Sequence, residues 1–177
     1  VGVQLSSFHG ALSSSGSFYY HAELVASAVT PPLGPERGGT RVTVLGSGFR
    51  DAYTLRCRFE NSSLAVLARY VDENQLECST PVHSLGAKAL YLSMNAQQFT
   101  DLDVQFEFQA TARVSSVYPV QGLREGGTLV TVRGTAFSSR SASMSYIHCR
   151  FNNTIVRALY YSGSKLVCVP PTMAEAY

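Results

Sequence analysis

The chain has 177 residues, enough for one or two modest domains with a proper core, and its 45% apolar against 15% charged residues exclude an intrinsically disordered segment. Its formal net charge of +2, from 14 basic and 12 acidic residues, gives little reason to expect nucleic acid or another polyanion as partner. No apolar run approaches the length of about 18 residues that a membrane-spanning helix needs, so we expect no such helix in this chain.

The first predicted elements are two strands within residues 1–25, joined by a Ser-rich turn. Phe18 and Tyr20 lie 88 positions (106 − 18) before Phe106 and Phe108, which belong to a similar alternating segment. This spacing predicts that residues 1–25 are the last strands of a preceding domain. We therefore expect the parent chain to continue in both directions.

The next strand shows the two-residue period of a half-buried strand. Val42 and Val44 point to one face, and the residues between them point to the other. Glycine turns flank this strand within Gly38–Phe49, and the same pattern recurs in Gly126–Phe137, 88 positions later (126 − 38). A repeat of this length indicates a duplicated domain.

A strand containing Cys-Arg-Phe follows at Leu55–Phe59 and recurs at Ile147–Phe151, now 92 positions later (147 − 55). The additional residues lie in the Ser/Arg-rich segment after Phe137, which we predict to be a loop because insertions in surface loops cost little. Length changes confined to connections are typical of duplicated domains. We therefore predict one complete domain at residues 26–112 and the N-terminal part of a further domain at 113–177.

All the patterned segments are strand-like, and none has the apolar stripe of an amphipathic helix. Val104, Phe106 and Phe108, for example, alternate with polar residues. Short strands separated by Gly, Pro, Asn and Ser indicate an all-β fold class, with tandem antiparallel β-sandwiches. Because the predicted connection between the domains is very short, we expect a rod of stacked domains.

The four cysteines form two pairs at equivalent positions, Cys57 with Cys78 and Cys149 with Cys168. All four lie on predicted inward faces, and the matched positions favour one disulfide within each domain. Four cysteines permit three pairings, and buried free thiols are an alternative that the sequence leaves open. Zinc is disfavoured because no Cys-x-x-Cys or histidine spacing accompanies the cysteines. We expect no metal and no cofactor.

Asn61-Ser-Ser and Asn152-Asn-Thr match the N-glycosylation pattern, each in the predicted loop after a Cys-Arg-Phe strand. One such tripeptide occurs often by chance. Two in equivalent loops, together with paired cysteines, indicate the secretory pathway and an extracellular or cell-surface location. We expect glycans on Asn61 and Asn152.

These motifs together resemble the IPT/TIG domain family of immunoglobulin-like modules, which are also found in plexins and Met-type receptors. Val29–Pro31, Gly38–Phe49, Cys57–Phe59 and Leu76–Pro81 carry the resemblance in the complete domain. In the next copy, Ala136 stands where the first copy has a glycine. The resemblance implies tandem immunoglobulin-like sandwiches but no particular ligand. Similar domains serve as receptor spacers, adhesion arrays, DNA-contacting modules and accessory domains of starch-acting enzymes.

The remaining polar residues form no recognisable catalytic pattern, so we predict no enzymatic activity. His148 takes an outward strand position and is interpreted as solvated. Asp101 and Asp103, with Asp72 and Glu73 elsewhere, are interpreted as solvated turn residues, with calcium binding between domains as the weaker alternative. Four arginines could form a basic strip on one sheet face, a weak indication of an acidic glycan or protein partner. These are Arg56, Arg58, Arg69 and Arg150.

The leading functional hypothesis is a structural and interaction segment of a large secreted or cell-surface protein. The domains would act as a disulfide-stapled spacer and a protein-binding array in adhesion or a surface coat. The expected partners are other proteins or further copies of the array, with glycans second and nucleic acid not expected. The alternatives are the stalk of a plexin- or Met-like signalling receptor, an intracellular DNA-binding module, and the carbohydrate-binding accessory part of an enzyme.

Overall fold

The structure is a computed structural model that describes residues 2–3, 16–17 and 23–172. All its elements except one short helix are strands, which confirms the predicted all-β fold class. The strands are β1 (Gly2–Val3), β2 (Gly16–Ser17), β3 (Val25–Thr30), β4 (Leu33–Pro35), β5 (Arg41–Ser47), β6 (Arg56–Phe59), β7 (Ala65–Asp72), β8 (Gln75–Ser79), β9 (Gly86–Ser93), β10 (Thr100–Gln109), β11 (Arg113–Tyr118), β12 (Val130–Thr135), β13 (His148–Phe151), β14 (Thr154–Arg157), β15 (Leu159–Ser162) and β16 (Lys165–Cys168), and the helix is α1 (Ser139–Ser143).

β1 and β2 form a short antiparallel pair. Phe18 and Tyr20, on which the assignment of residues 1–25 to a preceding domain depends, lie outside the described residues. That assignment stays a prediction.

Strands β3–β10 form a sandwich of two layers, called here the first unit. One layer contains β3, β5 and β8, and the other contains β4, β10, β9 and β6. β7 belongs to both layers, because residues 65–67 pair with β6 and residues 68–72 pair with β8. All these pairings are antiparallel except that of β4 with β10.

β3 and β4 are one stretch of chain that changes layers at Pro31 and Pro32. β3 pairs antiparallel with β5, whereas β4 pairs parallel with β10. Proline suits the change because it has no backbone N–H to donate where the chain leaves one ladder. β4, one of the two outermost strands of the first unit, has only three residues, which limits the exposed sheet edge on that side.

The core of the first unit lies between the two layers. Val42 and Val44 have no exposed surface, as the alternation in the sequence predicts. The rings of Phe59, Phe106 and Phe108 meet edge to face, with centroids 4.9 to 5.9 Å apart. Each such contact contributes ~0.5–1.5 kcal/mol beyond the burial of its surface.

Strands β11–β16 and α1 form the second unit, which repeats the first in part. Its main sheet has the order β11-β12-β16-β15, and β13 pairs with β14. Val132 lies opposite Leu166 as Val44 lies opposite Leu76 in the first unit. β14 and β15 correspond to the two halves of β7, and buried Ala158 separates them.

One glycine in each unit allows a close approach between neighbouring strands. A Cβ atom at Gly46 would overlap the carbonyl oxygen of Val25, and a Cβ atom at Gly134 would overlap that of Arg113. Each glycine lies beside a register shift, between β3 and β5 or between β11 and β12. The repeated glycine therefore has the same role in both units: it leaves room for a bulge.

The segment after Phe137 differs from the predicted loop, because part of it forms α1. The Ser138 side chain caps this helix by accepting a hydrogen bond from the backbone N–H of Ser141. A serine cap stabilises a first turn without any buried side chain. A five-residue helix with no buried residue leaves no apolar periodicity, so the sequence pattern could not reveal it.

Candidate functional site at the junction of the two units

Each unit has a disulfide that joins its two layers. Cys57 in β6 is bonded to Cys78 in β8, and their Cα atoms are 6.4 Å apart. Cys149 in β13 is bonded to Cys168 in β16, with a Cα separation of 6.3 Å. Bonds that close loops of this size contribute ~3 kcal/mol each in the chain-entropy model. They also fix the separation of the two layers at one point.

Asn61 and Asn152 lie at equivalent turns, between β6 and β7 and between β13 and β14. Both side chains are exposed. Their φ angles are 59° and 52°, a left-handed conformation that asparagine adopts more readily than most residues. The geometry leaves both amide groups accessible to a modifying enzyme from the solvent.

The connection between the units is short. β10 ends at Gln109 and β11 begins at Arg113, so only residues 110–112 lie between them. α1, which follows Phe137 in the second unit, then comes back against the end of β10. The two units are therefore in contact through side chains as well as through the chain itself.

Four side chains form polar bonds in this contact. The Arg140 guanidinium lies 2.9 Å from a Glu107 carboxylate oxygen. The Ser141 hydroxyl donates to Oε1 of Gln109 at 2.7 Å, and Nε2 of Gln109 donates to Glu107 at 2.9 Å. Glu107 and Gln109 project from the outer face of β10, whereas Arg140 and Ser141 are in α1. We call these four residues the junction cluster.

A cavity of about 560 Å³ lies beside the junction cluster, between the two units. The first unit contributes Pro31 and Leu33 to its lining, and the second contributes Phe137. Among the described residues, its titratable lining side chains are Tyr146 and His148. A mainly apolar lining of this kind is typical of a contact between domains, and it brings no acid–base pair together.

The predicted basic strip is interrupted by partners for its arginines. The Arg58 guanidinium carbon lies 4.1 Å from the centroid of the Phe99 ring and 5.5 Å from that of Tyr91. Arg69 forms an ion pair with Glu77 at 2.9 Å. These contacts engage Arg58 and Arg69 within the first unit, so the strip is a weaker candidate for a polyanion site than the sequence alone suggests.

The other polar candidates take local structural roles. His148 is exposed on β13, as predicted. Carboxylates of Asp72 and Asp101 accept hydrogen bonds from the backbone N–H groups of Asn74 and Asp103, at 2.8 and 3.0 Å. Across residues 23–172, no three His, Cys, Asp or Glu side chains are grouped as a metal site would require. Nor does the described part of the chain contain a helix with the length and apolar character needed to cross a bilayer.

Sequence reasoning did not single out the junction cluster. The one signal was the insertion after Phe137, which distinguishes the second unit from the first. Its serines and arginine gave no indication of their partners in β10, because the pairing depends on how the two units meet.

Comparison with known proteins gives a consistent result. The sequence pattern of the IPT/TIG domain matches residues 24–108 and again residues 112–176. Plexin-2 of Caenorhabditis briggsae is 26% identical over 145 residues, which are 77% of this chain and 8% of that protein. Fibrocystin of Mus musculus is 29% identical over 149 residues, 78% of this chain and 4% of that protein. The solved structure of the full extracellular region of Plexin A4 superposes with a TM-score of 0.56 at 19% identity, covering 91% of this chain and 14% of that one. The chain thus spans less than a tenth of each of these two curated relatives.

Proposed function

Because the chain belongs to the IPT/TIG domain family, we propose that it is a spacer and protein-binding array within a large secreted or cell-surface protein. In this role the units hold other regions of the parent protein at a fixed separation. The junction cluster sets the angle between neighbouring units. The partners are other proteins or further copies of the array, with acidic glycans as the second class.

The parallel pairing of β4 with β10 suits a unit that is joined end to end. β4 continues β3, so the two strands enter the first unit from one end. Because β10 runs parallel to β4, it leaves at the opposite end. Entry and exit at opposite ends extend the array with each unit, whereas entry and exit at the same end would fold it back.

The short connection and the junction cluster supply the rigidity that a spacer needs. An exposed ion pair alone contributes only ~0.2–1 kcal/mol, and the Arg140 side chain is 56% exposed. A hydrogen bond between Ser141 and Gln109 adds to it, and the linker of residues 110–112 leaves little slack. The combination restricts the angle more than any single contact could.

The two disulfides and the two exposed asparagine turns support the proposed location outside the cell. Both disulfides would be reduced in the cytosol, whereas the secretory pathway preserves them. Asn61 and Asn152 are exposed at matched turns, so glycans at both sites would project into solvent without disturbing either core.

A stalk of a signalling receptor is the second candidate, and the matches to plexin sequences favour it. The same rigid geometry would serve a stalk equally well. The domains that flank this segment in the parent protein would distinguish the two roles. An intracellular DNA-binding role is disfavoured by the net charge of +2 and by the disulfides.

Distances between spin labels at exposed Gln97 in the first unit and exposed Arg157 in the second unit test the spacer proposal. The labels should be attached through unnatural amino acids so that the disulfides stay intact. We expect one narrow distance distribution for the wild type and at least a twofold broader one for Arg140→Ala. Arg41→Ala is the matched control, because Arg41 is an exposed partner of Glu77 away from the junction. A broad wild-type distribution would contradict a rigid spacer, and equal widths for the two variants would contradict the role of the junction cluster in setting the angle.

Expression through the secretory pathway tests the proposed glycosylation sites. The chain should be expressed behind a cleavable secretion signal in mammalian cells and treated with an N-glycosidase. We expect two glycans, one lost in Asn61→Gln and the other in Asn152→Gln. Secreted protein that the glycosidase does not shift would contradict the proposed glycosylation.

A further inference from the structure

We propose that the first unit is built to bear tension along the array, and that the parallel pairing of β4 with β10 is the contact that resists this tension. We call this pairing the parallel seam. The inference rests on the proposed spacer role, because a spacer between two attached regions transmits any force between them. It goes further by assigning the resistance to particular backbone hydrogen bonds.

Tension along the array acts parallel to the strands of the seam. Tension enters the first unit where β3 begins and leaves where β10 ends. These points lie at opposite ends, because β10 is parallel to β4 and β4 continues β3. The force therefore acts along the strands and across their hydrogen bonds. Bonds loaded in this way share the force, whereas bonds at the end of an opened hairpin break one after another.

The seam is short but continuous with the turns beside it. Glu107, Phe108 and Gln109 of β10 pair with Leu33, Gly34 and Pro35 of β4. At the two ends of the seam, the Glu107 N–H donates to the Pro32 carbonyl at 2.9 Å, and the Glu36 N–H donates to the Gln109 carbonyl at 2.7 Å.

Packing beneath the seam keeps water away from these bonds. A Cβ atom at Gly34 would lie 2.9 Å from the ring of Phe106, so the strand sits directly on the core. Leu33 and Phe108 are buried at the same place. Because water cannot easily replace a strand–strand bond here, the bonds should open together, which raises the barrier to forced unfolding.

The disulfide limits how far the unit extends once the seam opens. Residues 57–78 are closed into a loop by the Cys57–Cys78 bond and cannot lengthen. At about 3.4 Å per residue, unfolding of residues 24–109 should release about 20 nm, and reduction of the disulfide should add about 7 nm for the 21 residues of the loop.

The second unit provides an internal comparison. Residues 121–123 correspond to β4 but are not a strand, and no parallel pairing occurs among the described residues of this unit. Within one chain, therefore, the first unit should give the event of high force. Residues 113–172 of this chain, which contain no counterpart of β10, should give way at lower force.

Single-molecule stretching of the whole chain between terminal handles tests the inference. Glu36→Pro removes the N–H that bonds to Gln109, and it suits the local turn because the Gly38 N–H bonds to the Pro35 carbonyl, which places position 36 where turns favour proline. Glu36→Ala is the matched control, since it removes the side chain but keeps the N–H. We expect Glu36→Pro to unfold about tenfold faster at constant force than Glu36→Ala, the effect of one backbone hydrogen bond.

A second pulling geometry separates mechanical design from ordinary stability. Handles at Arg37 and Ala110, both exposed and both at the exit end, would open the seam one bond at a time. We expect the unfolding force in this geometry to be several-fold lower than with terminal handles. Equal forces in the two geometries, or equal rates for Glu36→Pro and Glu36→Ala, would overturn the proposal. Neither outcome bears on the width of the spin-label distance distribution, so the seam and the spacer role can fail separately.

Discussion

Phe59 and Phe151 occupy the same place in the two units, yet Phe59 is fully buried and Phe151 is only partly buried. The Cys-Arg-Phe sequence is identical around both rings. The difference comes from β9 and β10, because the rings of Phe106 and Phe108 cover Phe59. No strand among the described residues takes their place over Phe151.

The first strand of each unit shows the same contrast. Val29 in β3 is 7% exposed, whereas Val117 in β11 is 42% exposed. The repeated motifs thus determine which strands pair, since β3 with β5 and β11 with β12 share one register. In the first unit β9 and β10 complete the layer that covers this inner face, whereas residues 113–172 contain no counterpart of these two strands.

Substitution of Phe59 and of Phe151 by alanine should give the largest difference in lost stability between the two units. We expect Phe59→Ala to cost ~3–5 kcal/mol, because it deletes a fully buried ring. Phe151→Ala should cost ~1–2 kcal/mol, because part of that ring is already in water. Denaturant-dependent hydrogen exchange of the β6 and β13 amides measures each unit separately. Phe→Leu at each site is the control, and it should recover more than half of the loss. Equal losses at the two sites would refute the account of their burial.

Removing each disulfide in turn compares the stability losses of the two units, and it separates the effect of burial from the effect of loop closure. The loops span 21 and 19 positions, so the chain-entropy model predicts nearly equal losses of ~3 kcal/mol, differing by only ~0.1 kcal/mol. Cys57 is fully buried whereas Cys149 is partly exposed. We therefore expect the Cys57→Ala/Cys78→Ala variant to lose ~1 kcal/mol more than its counterpart, through the cavity it leaves. Calorimetry of both double variants measures the difference, and a larger loss from the second unit would count against this explanation.

Most of the first unit could be predicted because its information is local and repeated. Val42 and Val44 alternate with polar neighbours, and that alternation alone places them in a core. The close approach at Gly46 recurs at Gly134, and the recurrence marks both as structural. Signals of this kind depend only on the period of a strand and on steric limits.

The junction could not be predicted, because its contacts depend on the relative position of two units. Arg140 and Glu107 are 33 positions apart (140 − 107) and belong to different units, so no local pattern links them. The parallel direction of β4 is equally non-local: Leu33–Pro35 has no period that indicates which strand it pairs with. Both features become apparent only when the whole topology is known.

At one equivalent position the first unit has a glycine and the second unit has an alanine, so the exchange of the two residues can be tested in both directions. Gly48 has a φ of 81°, and a Cβ atom there would lie 2.6 Å from the Glu23 carbonyl oxygen. Ala136, its counterpart, keeps a left-handed φ of 60°. Gly48→Ala should therefore cost ~1–2 kcal/mol, and Ala136→Gly should gain ~0.5–1 kcal/mol, since relief of strain exceeds the entropic cost of glycine.

Thermal unfolding followed by calorimetry measures both changes. Ala142→Gly in α1 is the control, because Ala142 has an ordinary helical conformation and should lose ~0.5–1 kcal/mol on the same substitution. If Ala136→Gly also lost stability, the strain assigned to position 136 would be disproved.

The smallest expected difference in stability concerns one cross-strand pair, which is charged in the first unit and apolar in the second. Arg69 lies opposite Glu77 in the first unit, and Leu159 lies opposite Val167 in the second. Glu77→Ala should cost ~0.2–1 kcal/mol, because the arginine is 66% exposed and the pair is screened by water. Leu159→Ala should cost a similar ~0.2–1 kcal/mol, since Leu159 is 50% exposed and its pair is apolar.

Salt distinguishes these two similar losses. At ~1 M NaCl the Debye length falls to ~3 Å, so the cost of Glu77→Ala should fall towards zero. The cost of Leu159→Ala should stay the same or rise, because salt does not screen an apolar contact. Urea unfolding of both variants at low and high salt measures the change. A fall in the cost of Leu159→Ala at high salt, or an unchanged cost of Glu77→Ala, would show that these strand pairs are held together by something other than the facing side chains.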